Sequence, residues 1–158
     1  MTEKPDMARK PAPAGALLLS NQLCFAVYST AHAFNRVYKP LLDRLGLTYP
    51  QYLVMLVLWE RDDLPVKDIG ERLFLDSGTL TPLLKRLEAA GLIKRTRSTH
   101  DERQVLIALT SQGQALRDKA KMLPEAILAA SACSIGELSA LKNDMIALRD
   151  RLLAMTGD

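Results

Sequence analysis

The sequence predicts a mainly α-helical chain carrying one small β-hairpin, and three observations point there. Apolar residues recur at three- and four-residue steps over most of the length, as on the inner face of a helix. After Gly91 the period falls to two: Val105, Ile107 and Leu109 alternate as a half-buried strand does. Thr48-Tyr49-Pro50-Gln51 and Ser134-Ile135-Gly136-Glu137 are capping boxes, in which a hydroxyl and a Gln or Glu three residues on satisfy each other's end of a helix.

The elements follow in order. Residues 1–15 carry Pro5, Pro11, Pro13 and Gly15 among scattered charges and read as a disordered arm. Leu17 to Leu45 reads as one long helix, with Leu23, Val27, Ala31, Phe34, Val37, Leu41 and Leu45 on one face, a bend at Pro40 and a stop at Gly46. A second helix runs from the Thr48 box to about Glu60; it is apolar nearly all round, so it belongs at the centre of the core. Asp62 to Pro65 reads as a turn. A short third helix, Val66 to about Phe74, turns inward Val66, Ile69 and Leu73, and Gly70 permits close approach.

A fourth helix spans 77–91: Leu80, Leu83, Leu84 and Leu87 share a face, Pro82 is tolerable only near its start, and Gly91 stops it. Two short helices joined by a tight turn make a helix-turn-helix. Residues 92–109 form the hairpin, with Ser98–Arg103 as its charged tip. Thr110 caps a fifth helix running to about Leu123, which Pro124 breaks or kinks, and 125–132 resumes helix. In the last helix Leu138, Leu141, Met145, Leu148, Leu152 and Met155 step alternately by three and four, a heptad seam that needs another helix to cover it.

A chain of 158 residues is one ordinary domain, and 48% apolar content is enough for its core. The longest strongly apolar run, Leu53–Trp59, is far too short to span a bilayer, and no apolar stretch of the signal type follows the early Lys and Arg. Two cysteines far apart in sequence make neither a disulfide framework nor a metal knuckle, and with the absence of a signal they point to a cytoplasmic protein whose thiols rest reduced. Two histidines, His32 and His100, build no metal site unaided, and no cofactor motif is present.

Charge is concentrated at 77–109, where Lys85, Arg86, Lys94, Arg95, Arg97 and Arg103 face only Glu88, Asp101 and Glu102; this window holds the whole net charge of +3. Lys and Arg neutralise phosphates. Ser77, Thr79, Thr81, Pro82, Lys85 and Arg86 are free to point away from the core toward base edges in a major groove. Arg95 and Arg97 lie on the hairpin, and Asp101 is placed to hold the Arg103 guanidinium in one orientation for a minor groove. The partner this predicts is double-stranded DNA.

The helix at 77–91, Gly91, the basic strand, Asp101-Glu102-Arg103 and the closing strand resemble the winged helix-turn-helix of MarR-type transcriptional regulators, over roughly residues 18–155. The resemblance implies a single domain over 16–158, with 16–46 and 110–158 as dimerisation helices, 48–109 as the winged helix-turn-helix, 77–91 as recognition helix and 92–109 as wing. It also implies a homodimer on a pseudo-palindromic operator, since one helix and one wing read few bases.

Asn21–Ser29, Tyr38–Leu42, Leu47–Leu53 and Leu75–Arg86 are similar, within that family, to the organic hydroperoxide resistance regulators (OhrR). On this resemblance Cys24 is a peroxide-sensing thiol, Tyr28 and Tyr38 hydrogen-bond to it, and Cys133 takes the place of the resolving cysteine of the two-cysteine members. Tyr28 is one turn beyond Cys24, whereas Tyr38 lies roughly 21 Å further along the same helix at ~1.5 Å per residue, so only a partner helix brings it near. Leu23, Phe25 and Val27 around the thiol suit an organic hydroperoxide better than the small polar hydrogen peroxide. The implied protein is a non-enzymatic repressor that an organic hydroperoxide releases from DNA. Two other readings compete: a MarR-type repressor released by a small aromatic ligand, with Cys24 an inert buried thiol, and a thiol peroxidase.

Overall fold

The computed structural model describes residues 14–157 and divides into two compact units at Arg36–Val37. The expected arm falls outside the described residues apart from 14 and 15.

In the first unit the Leu18 N–H donates to the Gly15 carbonyl at 3.0 Å and a single 3-10 turn covers Leu19–Asn21. Helix α1 (Leu23–Asp43) begins only then, six residues later than expected. Gln22 explains the delay: its backbone is extended, and its side-chain amide donates to the carbonyls of Ala16 at 2.5 Å and Leu18 at 3.1 Å. A side chain thus occupies acceptors that a continuing helix needs.

The second unit holds the core. The Thr48 box forms as expected: the Gln51 side chain accepts the Thr48 N–H at 2.9 Å and Thr48 Oγ1 accepts the Gln51 N–H at 3.4 Å, with Pro50 in the first turn. Helix α2 (Tyr49–Glu60) is the central element. Tyr52, Val54, Met55, Val57, Leu58 and Trp59 are buried, and the Trp59 indole donates to the Gly113 carbonyl at 3.0 Å.

The span expected as a turn, Asp62 to Pro65, contains strand β1 (Leu64–Pro65). Helix α3 (Val66–Leu73) follows, and Phe74 ends it at φ 56°. Gly70 is required: a Cβ there would sit 2.8 Å from the Leu75 carbonyl. Helix α4 (Ser77–Ala89) starts where predicted and buries Leu80, Leu84 and Leu87. Strands β2 (Ile93–Arg97) and β3 (Val105–Leu109) form the expected hairpin. The sheet has three strands in the order β1-β3-β2, all antiparallel, with Leu64 opposite Ile107 and Arg95 opposite Ile107 on its other side. The wing is thereby sewn to the start of α3.

Thr110 caps helix α5 (Ser111–Ala120), its Oγ1 accepting the Gly113 N–H at 3.0 Å. The break falls at Lys121 and not at Pro124. Helix α6 (Met122–Ser131) opens directly after Lys121 and carries Pro124 in its first turn, where a missing N–H costs no helical bond. Ala132 closes α6 at φ 54°. The Ser134 box then starts helix α7 (Ile135–Thr156), with Ser134 and Glu137 exchanging both bonds.

Candidate nucleic-acid interface and thiol positions

Helix α4 presents its outer face because its inner face is used up by three buried leucines. Asp76, missed by sequence reasoning, is its cap: the carboxylate accepts the Thr79 N–H at 2.7 Å, and that bond holds its pKa below the usual carboxylate value. The signal was present, an Asp immediately before the helix. Ser77, Thr79, Pro82, Lys85 and Arg86 are exposed and Thr81 is half-buried.

Cross-strand partners share a face of the sheet. Arg95 stands opposite buried Ile107, and so turns toward α4. There Glu88 receives it: Arg95 Nε donates to one carboxylate oxygen at 2.7 Å and its backbone N–H to the other at 3.3 Å. Arg95 is therefore a strut between wing and recognition helix, half-buried, whereas Arg97 is exposed.

The wing tip is a built turn. Buried Ser98 accepts the N–H groups of His100 at 3.2 Å and Asp101 at 3.3 Å, and its own N–H donates to the Gln104 carbonyl at 2.9 Å. The expected grip of Asp101 on the Arg103 guanidinium is corrected. The carboxylate accepts the Arg103 backbone N–H at 3.0 Å, because a short side chain two residues back meets the main chain first. Asp101 shapes the tip and the Arg103 side chain extends from it, exposed.

Between α4 and the wing lies a groove of about 390 Å³, lined by Thr81, Arg95, Arg103 and Lys67 among others. The geometry thus brings Thr81 of the helix and Arg103 of the wing to one concavity. Lys67, in the first turn of α3, is an addition; its only sequence signal was a cation beside a helix start. An exposed polar helix face flanked by a basic β-hairpin offers hydroxyls to base edges and cations to phosphates.

Cys24 is the second residue of α1 and is exposed. Tyr28, one turn on, packs edge-to-face on His32 with ring centroids 4.4 Å apart. Tyr38 is gathered with Tyr49 and Tyr52 at 4.8 and 6.0 Å. Burial, with Tyr49 and Tyr52 beside it, pushes its pKa up to about 12, so its hydroxyl keeps its proton as a donor. Tyr49 was missed; its place between the Thr48 cap and Pro50 masked it as part of a helix start. Cys133, also exposed, sits between Ala132 and the Ser134 cap, its Sγ donating to the Ser131 carbonyl at 3.4 Å.

The chain is similar to known proteins over most of its length. The profile of the transcriptional regulator SarA/Rot family matches residues 36–120. The HTH-type transcriptional regulator TtmR of Methylorubrum extorquens is 55% identical over 139 residues, 88% of this chain and 71% of that protein. The organic hydroperoxide resistance transcriptional regulator of Bacillus subtilis is 52% identical over 134 residues, 85% of this chain and 91% of that one. Among solved structures, reduced AbfR bound to DNA superposes with a TM-score of 0.71 at 38% identity, covering 87% of this chain and 94% of its own. AbfR of Staphylococcus epidermidis is also similar to this chain in an overoxidised form bound to DNA and in a disulfide form. The chain therefore belongs to the MarR/SarA family of winged-helix, DNA-binding transcriptional regulators.

Proposed function

We propose that this regulator is a homodimeric repressor which an organic hydroperoxide releases from its operator by oxidising Cys24. The observation that carries the reading is the placement of both thiols. Each is exposed, and each stands at the start of a long helix, Cys24 within the first turn of α1 and Cys133 just before the cap of α7. The 52% identity to the hydroperoxide resistance regulator of B. subtilis and the likeness to AbfR, solved in a disulfide form, support it.

The Cys24 thiolate attacks the O–O bond of the hydroperoxide and becomes a sulfenic acid, while the alkoxide leaves and takes a proton to become the alcohol. The Cys133 thiol then displaces water from the sulfenic acid to give a disulfide. Tyr28 and Tyr38 donate hydrogen bonds to the sulfur, Tyr38 from the partner subunit's α1. Ser77, Thr79, Thr81, Pro82, Lys85 and Arg86 engage the major groove, Arg97 and Arg103 reach phosphates and minor groove, and Arg95 and Asp101 hold the wing in shape. Apolar residues left bare on α7, among them Leu141 at 56% and Leu152 at 60% exposure, fit the seam of a twofold dimer. Two linked half-sites demand a fixed spacing, and a disulfide that pulls the head of α7 changes it.

The test is to treat the purified protein with cumene hydroperoxide and run it unreduced. A dimer-sized band in the wild type, absent from Cys24→Ser and from Cys133→Ser, is expected. No such band in the wild type overturns a disulfide between subunits.

A further inference from the structure

Phe74 is an anomaly in the helix-turn-helix. It ends α3 at φ 56°, ψ 37°, a left-handed conformation that glycine adopts freely and a phenylalanine rarely does. The residue is 57% exposed, on the edge of a groove of about 610 Å³ lined also by Gly70, Leu75 and Leu80. A bulky apolar residue in a strained turn needs a reason, and the structure offers one. The Arg149 guanidinium lies over the ring, 4.4 Å from its centroid. Arg149 is held for this: Nε and Nη2 both donate to Asp150 Oδ1, at 2.9 and 2.8 Å, which fixes the plane of the fork. Helix α7 buries none of its residues. Arg149 is nevertheless half-buried.

We infer that Arg149 is a positioning residue, which through Phe74 ties α7 to the α3–α4 turn and so to the first turn of the recognition helix. The lever is direct. Helix α7 is continuous from the Ser134 cap to Arg149, about 22 Å at ~1.5 Å per residue. Leu75, next to Phe74, donates its N–H to the Gly70 carbonyl at 3.0 Å, and Asp76 caps α4. A displacement of α7 at its Cys133 end therefore swings the guanidinium on a ring whose backbone leads into α4 within three residues. What displaces α7 is the disulfide of the proposed function, on which this inference rests; that the contact holds the turn in place does not depend on it.

Two readouts separate the two ideas. The first is hydrogen exchange of the Leu75 and Leu80 amides in the reduced, DNA-free protein. Arg149→Met and Phe74→Leu should speed it about two- to fivefold, the change that loss of a partly exposed cation–π contact makes. Arg149→Lys, which keeps the cation, should stay near the wild type, and the double variant should go no further than either single one. The second is the ratio of dissociation constants, oxidised to reduced, for a duplex selected by the reduced protein from a random-sequence pool. Arg149→Met should lower that ratio by a similar factor and Arg149→Lys should restore it. Unchanged exchange in both Arg149→Met and Phe74→Leu overturns the positioning role. Altered exchange with an unaltered ratio overturns the transmission. A wild-type ratio of one overturns the redox reading, while the exchange result still decides the role of Arg149.

Discussion

Arg95 Nε lies 2.7 Å from Glu88 Oε2, joining the first strand of the wing to the last turn of the recognition helix. The guanidinium holds the Glu88 carboxyl below its usual value. The pair joins wing and helix, and Arg95 is expected to serve geometry more than phosphate contact. Glu88→Ala should weaken operator binding by about fivefold at most, in line with a partly exposed ion pair, although it removes a negative charge from the DNA face. Fluorescence anisotropy measures this; tighter binding would mean that Arg95 is more useful released.

Arg103 is the opposite case: Asp101 holds its backbone N–H, and its side chain is exposed at the tip. Arg103→Ala should cost about 1–3 kcal/mol of operator binding. Asp101→Ala should also weaken binding, through loss of the turn, and leave overall stability unchanged. Equal affinity of Arg103→Ala and wild type in the same titration would remove the wing from the contact.

Affinity should fall steeply with salt. If about six or more phosphates are contacted, the loss between 50 and 200 mM salt is on the order of a thousandfold. A flat response would contradict the assignment of the 77–109 cations to DNA.

Helices α2 and α4 both bury residues in the core. Leu80 has no exposed surface, so Leu80→Ala should destabilise by about 2–5 kcal/mol. Thr48→Ala, which removes one half of a capping box, should cost about 1 kcal/mol. Urea denaturation distinguishes the two; similar midpoints would mean that the site around Leu80 collapses to fill its cavity.

Tyr38 sets an alkaline limit. Its folded pKa is raised from 10.0 to about 12, first by burial and then by Tyr49 and Tyr52. A raised value means that the folded state keeps a proton which the unfolded chain has lost. The associated stability is therefore complete below pH 10 and is lost as pH rises from 10 to 12. The urea midpoint should fall across that window, and less so in Tyr38→Phe.

How much of this was legible in the sequence depended on how local its cause is. Both capping boxes, the Thr110 cap and the start of α4 are set by residues within four positions of each other, and each was read correctly. Strand β1 was not, because two residues show no period and Leu64 becomes a strand only by meeting Ile107 on the distant β3. The first helix was expected from Leu17, but the Gln22 side chain takes carbonyls that the first turns of such a helix need. Pro124 looked like a breaker because the sequence does not show that a new helix opens at Met122, which makes Pro124 a first-turn residue. In the site, the exposed face of α4 could be read from its periodicity, whereas the Glu88–Arg95 strut and the clustering of Tyr49 with Tyr38 needed the third dimension.

Cys133→Ser should still consume peroxide at Cys24 but without the protecting disulfide, so that mass spectrometry finds sulfinic or sulfonic acid there. An unmodified Cys24 in that variant would remove it from the sensing role.

The most direct measurement compares the affinity of one duplex for the reduced protein and for the same preparation after cumene hydroperoxide, with a thiol reductant added last. Release on oxidation and recovery on reduction, both lost in Cys24→Ser, is the expected result. An oxidised wild type that grips the duplex as firmly as the reduced protein would contradict the account.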